Sequence, residues 1–289
     1  MSERNGYEPG VPCWVDHSSP DPAAAASFYG ELFGWESEDQ MPPGGPGQYF
    51  SAQLRGKGVA ALGTQQNPVA PPMWNTYVAV ENADETVKKV AEAGGTAYGE
   101  AFDVFTAGRM AVVADPAGAM FCLWQAGEHH GAQLVNEPGA LCWNELTTRD
   151  PEHSKPFYAS AFGWRTSAID MGEFEYTLWH APGAGEPSGE EVIGGMMPMV
   201  RRRVAGRPAP ALDGLLRGRG HRRDGVEMRG ARRPRAPDSF RHASGPGGRA
   251  HRPGGRRVLD HRVGRSDRLI AAVRRARAGR AYFRRPPRP

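Results

Sequence analysis

An internal repeat constrains the fold of this 289-residue chain more than any other feature of its sequence. Four short motifs recur, each displaced by 129 residues and without a gap. The pairs are Cys13-Trp14 with Cys142-Trp143, Asp21-Pro22 with Asp150-Pro151, Phe28-Tyr29 with Phe157-Tyr158, and Phe33-Gly34-Trp35 with Phe162-Gly163-Trp164. One offset shared by four separate matches indicates that a structural unit has been duplicated. We therefore expect a chain built from similar modules.

Each repeat starts with the pattern of a strand followed by a capped helix. Residues 12–17 alternate and carry large side chains, which favours a strand. Asp21 followed by Pro22 is typical of a helix start, and Gly34 of a left-handed helix end. A hairpin over 49–54 and 59–62 completes the unit. The unit is thus β-α-β-β-β, which puts the chain in the α+β class.

A related unit occupies residues 72–125. It has a predicted strand over 74–80, a helix over 84–93 and two strands around the turn Asp115-Pro116-Ala117-Gly118. We therefore predict a complete two-module domain over 11–127, a linker over 128–139 and the first module of a second domain over 140–199.

The composition changes at residue 200. Residues 1–199 carry 26 acidic and 9 basic side chains, a net charge of −17, and hold all seven Trp and all three Cys. Residues 200–289 carry 27 Arg, no Lys and 6 acidic side chains, a net charge of +21. Three interpretations compete for this tail: an Arg-rich arm that binds nucleic acid by its charge, a small basic domain, and translation in the wrong reading frame.

A shift of the reading frame by one nucleotide accounts best for the tail. With GC-rich codons, the shifted frame over 210–221 can encode Pro-His-Trp-Met-Val-Tyr-Phe-Ala-Val-Glu-Asp, which is similar to residues 72–82. Over 252–261 it can encode Asp-Pro-Gly-Gly and an apolar strand, similar to residues 115–123. These two motifs lie 33 residues apart, against 34 between Glu81 and Asp115. We therefore expect residues 200–289 to be frameshifted and disordered, and we do not expect nucleic acid as a partner.

Membrane and secretory classes do not fit the sequence. It contains no run of about 18 apolar residues, and its first residues lack an apolar signal segment. Cys13, Cys122 and Cys142 form no Cys-x-x-Cys pair, so reduced thiols are the expectation. We expect a cytoplasmic protein without a membrane partner.

The motifs together resemble a known family. The Phe-Tyr helix that ends in Phe-Gly-Trp, and the Asp-Pro-x-Gly turn before a last strand, are similar to the vicinal oxygen chelate superfamily of glyoxalase I, bleomycin resistance proteins and extradiol dioxygenases. The resemblance covers 11–199 and is to the tandem glyoxalase-like type of actinobacteria, including so-called hydroxylases. It implies paired modules that form a half-open, eight-stranded barrel with a ligand on its concave face.

A frameshift near residues 199–201 scrambles the fourth module of such a tandem protein, so we expect the second barrel to be incomplete. The third module would then expose a sheet edge. We expect it to be poorly stable or to pair with another chain as a homo-oligomer.

Metal-using members of the superfamily hold a divalent ion on the first and last strands. The resemblance places these ligand positions at or near Trp14, Gln53, Asn75 and Cys122. Tryptophan is not a metal ligand, and the two amides and the single thiol form a poor set. We therefore predict no metal and no other cofactor. The pair His129-His130 follows the last strand and is expected to be solvated.

Seven residues form the candidate cavity: Trp14, Asp16, Gln53, Asn75, Tyr77, Cys122 and Trp124. One interpretation is that their aromatic side chains are simply core. The other is a stacking pocket for a planar or apolar small molecule, with Asp16, Asn75 and Tyr77 as polar anchors. The implied function is a small-molecule binder of glyoxalase or bleomycin-resistance type, acting as a lyase, dioxygenase or hydroxylase. The alternative is a non-catalytic protein that sequesters a drug or metabolite, and no catalytic residue is assigned.

Overall fold

The computed structural model describes residues 2–183 and 192–199, together with the backbone of residues 211–216. Its strands join into one 14-stranded sheet with three helices, so the α+β class is confirmed. None of the helices in these ranges is long and apolar enough to cross a membrane.

Module 1 follows the predicted order. Its elements are β1 (Pro12–Ser19), α1 (Pro22–Phe33), β2 (Glu36–Asp39), β3 (Tyr49–Leu54) and β4 (Lys57–Thr64). The helix begins where Asp21 Oδ1 accepts a 2.9 Å hydrogen bond from the Ala24 backbone N–H, and it ends at Gly34 with φ of 73°. The cap and the left-handed glycine that the sequence predicted therefore set both ends of α1.

Module 2 repeats this order with an extra short strand. It contains β5 (Met73–Ala79), α2 (Ala83–Glu92), β6 (Thr96–Ala97), β7 (Phe102–Val104), β8 (Gly108–Ala114) and β9 (Met120–Ala126). Asn82 caps α2 by accepting a 3.0 Å hydrogen bond from the Glu85 backbone N–H. The buried residues of α2, Ala83, Thr86 and Val90, follow helical spacing, so one face of this helix packs on the sheet.

Module 3 copies module 1. It contains β10 (Leu141–Thr148), α3 (Pro151–Phe162), β11 (Arg165–Asp170), β12 (Glu175–His180) and β13 (Val192–Pro198). Asp150 Oδ1 caps α3 through the His153 backbone N–H at 3.2 Å, and Gly163 ends the helix with φ of 71°. The duplication read from the sequence is therefore repeated in the geometry of the two helix ends.

The first two modules meet along β1 and β5. These strands are antiparallel, with Trp14 opposite Tyr77 and Asp16 opposite Asn75. From this seam the strand order runs β1-β4-β3-β2 in one direction and β5-β9-β8 in the other. The result is the curled half-barrel that the resemblance implied, and its concave face carries alternate residues of β1, β3 and β5.

The outer edge of β10 differs from the expectation of an exposed edge. A strand β14 (Ala211–Leu216) pairs antiparallel with β10 and makes a single parallel bridge to β9 through Ala211 and Met120. Six residues of the segment expected to be disordered thus complete this edge, because an unpaired strand beside a buried core exposes unsatisfied backbone groups. The rest of 200–289 lies outside the described residues.

The segment predicted as a linker packs on the first domain. Leu134 is buried and forms an isolated bridge with Glu3. The backbone N–H groups of Ala132 and Gln133 donate to the carbonyls of Cys13 (2.8 Å) and Gly58 (2.7 Å). These hydrogen bonds tie residues 132 and 133 to β1 and β4.

Candidate functional site

A cavity of about 430 Å3 opens on the concave face of the half-barrel formed by modules 1 and 2. Its wall is mainly aromatic and apolar, with Trp14, Tyr49, Tyr77, Met110, Trp124 and His129 among its lining residues. The volume lies in the range of small-molecule sites, and aromatic walls suit planar ligands.

A buried carboxyl group lies behind this wall. Asp16 accepts hydrogen bonds from the Tyr77 hydroxyl (2.6 Å), the Asn75 amide (2.8 Å) and the Tyr49 hydroxyl (3.4 Å). Burial raises the pKa of Asp16, and the donated hydrogen bonds oppose that rise. Three hydrogen-bond donors therefore hold the Asp16 carboxyl group at a buried position, where the ionised form loses the free energy of hydration.

Tyr49 links the cavity wall to this carboxyl group. Its hydroxyl accepts a 3.3 Å hydrogen bond from Trp14 Nε1 and donates to Asp16 Oδ2. Burial first, and then the nearby Asp16 charge, raise the pKa of Tyr49 well above its ordinary value. The phenol therefore stays neutral, and an indole, a phenol and a carboxyl group form one chain of hydrogen bonds.

The seven predicted residues fall into separate places. Trp14, Tyr77 and Trp124 line the cavity, whereas Asp16 and Asn75 lie behind it in the hydrogen-bond network. Cys122 is buried opposite Tyr77 on β9, and burial raises the pKa of its thiol. Gln53 lies at the far end of β3, opposite Glu36, outside the cavity lining.

Tyr49 and Ser51 line the cavity from β3 but were not among the predicted site residues. A signal for them existed, since Tyr49, Ser51 and Gln53 alternate on one strand and share a face. Gln53, which the resemblance placed near a family ligand position, lies at the other end of that strand, outside the cavity lining.

His129 also differs from the expectation of a solvated side chain. Its ring lies 4.5 Å from the Trp14 ring and 5.7 Å from the Trp124 ring, edge-on to both. Trp124 Nε1 donates a 2.8 Å hydrogen bond to the His129 carbonyl, which fixes the backbone there. Burial, and then the neighbouring His130, lower the pKa of His129. The backbone conformation of residues 127–131, which the sequence pattern did not predict, places this ring at the cavity.

Module 3 carries a second copy of the indole–phenol–carboxylate chain. Trp143 Nε1 donates to the Tyr176 hydroxyl at 3.0 Å, and that hydroxyl donates to Glu145 Oε2 at 2.9 Å. Trp143 and Glu145 repeat Trp14 and Asp16 at the offset of 129 residues. Modules 1 and 3 therefore share this chain of hydrogen bonds as well as the capped helix.

The residues at the family's ligand positions do not fit a divalent metal. The Trp14 indole nitrogen only donates hydrogen bonds, and Asn75, whose amide nitrogen donates to Asp16 and Ser18, could offer only a neutral amide oxygen. Within the described residues, no three His, Cys, Asp or Glu side chains gather as a ligand set. A metal would therefore lack the oxygen and imidazole ligands it needs.

Arg109, the strand residue that an anionic ligand could have used, is held elsewhere. Its guanidinium bonds the carboxylates of Asp84 (2.9 Å) and Asp103 (2.8 Å) and the Ala101 carbonyl (2.7 Å). This arginine ties α2 and β7 to β8, so it does not serve the cavity.

Comparison with known proteins agrees with this geometry. The family model described as a glyoxalase-like domain matches residues 14–124. CFP32 of Mycobacterium bovis, described as a candidate glyoxylase, is 45% identical over 175 residues, which cover 59% of this chain and 67% of that protein. This chain belongs to the glyoxalase-like family. The anthracycline biosynthesis protein DnrV of Streptomyces peucetius is 36% identical over 188 residues, which cover 60% of this glyoxalase-like chain and 68% of DnrV.

Among the solved structures to which this chain is similar is the Mn(II)-bound glyoxalase from Novosphingobium aromaticivorans. It is 14% identical to this glyoxalase-like chain, with a TM-score of 0.48, and the match covers 73% of this chain and 64% of that one.

Proposed function

We propose that this glyoxalase-like protein binds a planar, mainly apolar organic molecule in the cavity of modules 1 and 2. The observation that carries the proposal is the wall itself, in which Trp14, Tyr77 and Trp124 surround a space of about 430 Å3. Rings of this kind contribute stacking and apolar contact without losing much side-chain entropy.

Polar groups on the wall are mostly engaged by the protein. The Tyr49 hydroxyl bridges Trp14 and Asp16. Thr64 Oγ1 accepts from the Gln48 backbone N–H and donates to the Gln48 carbonyl. A ligand therefore gains more from shape and stacking than from hydrogen bonds, which favours an aromatic ring system over a sugar or a phosphate.

Binding without turnover is the form of the proposal that the site supports best. Asp16 is screened from the cavity by Tyr49 and Tyr77, and the residues at the family's metal positions do not suit a metal. A protein of this kind would sequester a drug or metabolite, as bleomycin resistance proteins do within the superfamily.

Acid–base catalysis is the second candidate, and the hydrogen bond between Tyr49 and Asp16 favours it. A phenol on the wall, connected to a buried carboxyl group of raised pKa, can pass a proton to or from a bound molecule. If the protein turns over a ligand, Tyr49→Phe should abolish turnover while binding persists. If it only binds, no compound is consumed by either form.

The test is a ligand screen on the full chain by thermal shift and tryptophan fluorescence. Anthracyclines should be included first, because the names of two relatives refer to anthracycline biosynthesis. Ser51 lines the cavity, so Ser51→Phe should fill it and weaken binding by about tenfold or more, whereas Ser51→Ala should bind as the wild type does. Equal affinity of the two variants would place the ligand elsewhere and contradict the proposal.

A further inference from the structure

The two copies of the Phe-Tyr helix differ in what covers them. In α3 five residues are buried, whereas none of their counterparts in α1 is. The buried residues of α3 are Ser154, Phe157, Tyr158, Ala161 and Phe162, and the counterparts in α1 are Ala25, Phe28, Tyr29, Leu32 and Phe33. Phe157 is 2% exposed and Phe28 is 59% exposed. The same apolar face is therefore covered in one repeat and open in the other.

The cover over α3 comes from module 2. A Cβ built on Gly95, just after α2, would lie 2.8 Å from the Phe157 ring, so helix and glycine are in close contact. The Phe121 ring of β9 packs on Tyr158 at 5.9 Å between centroids. The Tyr158 hydroxyl donates to Asp115 Oδ2 at 3.4 Å, in the turn before β9. Modules 1 and 3 are called first-type modules here, and module 2 is called a second-type module. The helix of a first-type module thus docks on the α2 and β9 surface of a second-type module.

β14 stands where a second-type module would begin. It pairs with β10 as β5 pairs with β1: Trp143 lies opposite Leu215, as Trp14 lies opposite Tyr77. Both pairings carry a register shift at the same place, just before the tryptophan. In module 2 the surface that covers α3 is built by the residues that follow β5.

We propose that the open face of α1 is the docking surface for a fourth module, encoded from about codon 200 in the reading frame shifted by one nucleotide, whose first strand would take the place of β14 beside β10. Length permits it, since 73 residues follow Leu216, whereas module 2 needs 47 from the end of β5 to the end of β9. As encoded, residues 217–289 are rich in Arg and carry no Asp-Pro-x-Gly motif. Read in the shifted frame, residues 252–255 can supply that turn.

Tyr29 gives the docking a polar contact. Its hydroxyl accepts a 3.2 Å hydrogen bond from Trp74 Nε1, which leaves its proton for an acceptor. In the covered repeat, the equivalent Tyr158 donates to the Asp of the Asp-Pro turn. The aspartate of the shifted-frame turn would accept from Tyr29 in the same way.

The test compares the full chain as encoded with a chain whose gene carries a one-nucleotide correction near codon 200. Phe28→Asp should lower the Tm of the corrected chain by about 5 °C or more, because it places a charge in a covered apolar interface. In the encoded chain the same change should leave Tm unaltered, because Phe28 is exposed. The matched control Phe157→Asp should lower Tm in both chains.

Hydrogen exchange of α1 and size-exclusion chromatography complete the test. Protection of α1 should rise on correction of the frame while that of α3 stays constant. The proposal is overturned if the corrected chain does not unfold cooperatively, if its α1 stays unprotected, or if stop codons interrupt the shifted frame before codon 260. The proposal is also overturned if Phe28→Asp lowers the Tm of the encoded chain or dissociates a dimer of it. Either result would show that the encoded tail or a second copy of the chain covers α1.

Discussion

Tyr77 donates a 2.6 Å hydrogen bond to the Asp16 carboxyl group across the seam between modules 1 and 2, although the two residues are 61 positions apart. The same strand pairing places Trp14 opposite Tyr77 on the cavity wall. The contact that joins the two modules therefore also shapes the candidate site. Changes to it should affect stability and ligand binding together.

Replacement of Asp16 should alter how stability depends on pH. Burial raises the pKa of Asp16 above its ordinary 3.8, so the folded chain binds this proton more tightly than the unfolded chain. The stabilisation is complete below the unfolded pKa and is lost as pH rises through the folded pKa. In urea denaturation, the wild type should lose free energy of unfolding relative to Asp16→Asn as the pH rises from about 4.

Asp39→Asn supplies the control for that experiment. Backbone N–H groups of Tyr49 and Met41 lower the pKa of Asp39, which contributes stability above its unfolded pKa that is lost as pH falls. The wild type should therefore gain stability relative to Asp39→Asn only as the pH rises towards about 4, and should hold that gain at higher pH. If the wild type showed no loss relative to Asp16→Asn above about pH 4, the assignment of Asp16 would be contradicted.

Loss of the Tyr77 hydroxyl should cost more than loss of the Tyr49 hydroxyl. Tyr77→Phe removes a 2.6 Å hydrogen bond to a buried carboxyl group, and such losses cost about 1–3 kcal/mol. Tyr49→Phe removes two longer bonds, the 3.4 Å bond to Asp16 and the 3.3 Å bond from Trp14 Nε1, and should cost about 1 kcal/mol or less because both bonds are long. Denaturation with urea measures both, and equal losses would show that the shorter bond is not the stronger one in solution.

His129 should make the fold sensitive to mild acid. Burial between Trp14 and Trp124 lowers its pKa below 6.5, so the unfolded chain takes up the proton more readily. The contribution of the neutral ring is present above pH 6.5 and is lost as pH falls through the folded pKa. His129→Gln should flatten the Tm profile below that pH. His130→Gln should reduce the slope less, because burial, the larger cause of the lowered pKa of His129, remains.

Removal of metal should leave ligand binding unchanged. Since Trp14 only donates hydrogen bonds and no three His, Cys, Asp or Glu side chains gather within the described residues, a chelator should leave Tm unchanged and change ligand affinity by less than about twofold. Elemental analysis of the purified protein checks the premise. Stoichiometric iron, manganese, nickel or zinc, or a drop in Tm after chelation, would contradict it.

Local signals were sufficient for the modules and their helices. Asp21, Gly34, Asp150 and Gly163 set the helix ends through contacts within a few residues, so their sequence pattern predicted the structure closely. The site was harder to predict. Trp14, Tyr77 and Trp124 follow from strand alternation near known motifs, but the burial of Asp16 depends on donors from β3 and β5.

The amino-acid sequence by itself determined the duplication, the β-α-β-β-β units and the change in composition at residue 200, because repeats, caps and strand alternation are properties of neighbouring residues. Only the tertiary structure decided that Tyr49 and His129 reach the cavity, that β14 completes the edge of β10, and that α1 stays open while α3 is covered. Each of these depends on which distant strands and helices meet. Such pairings are fixed by the burial of whole faces, which no local pattern records.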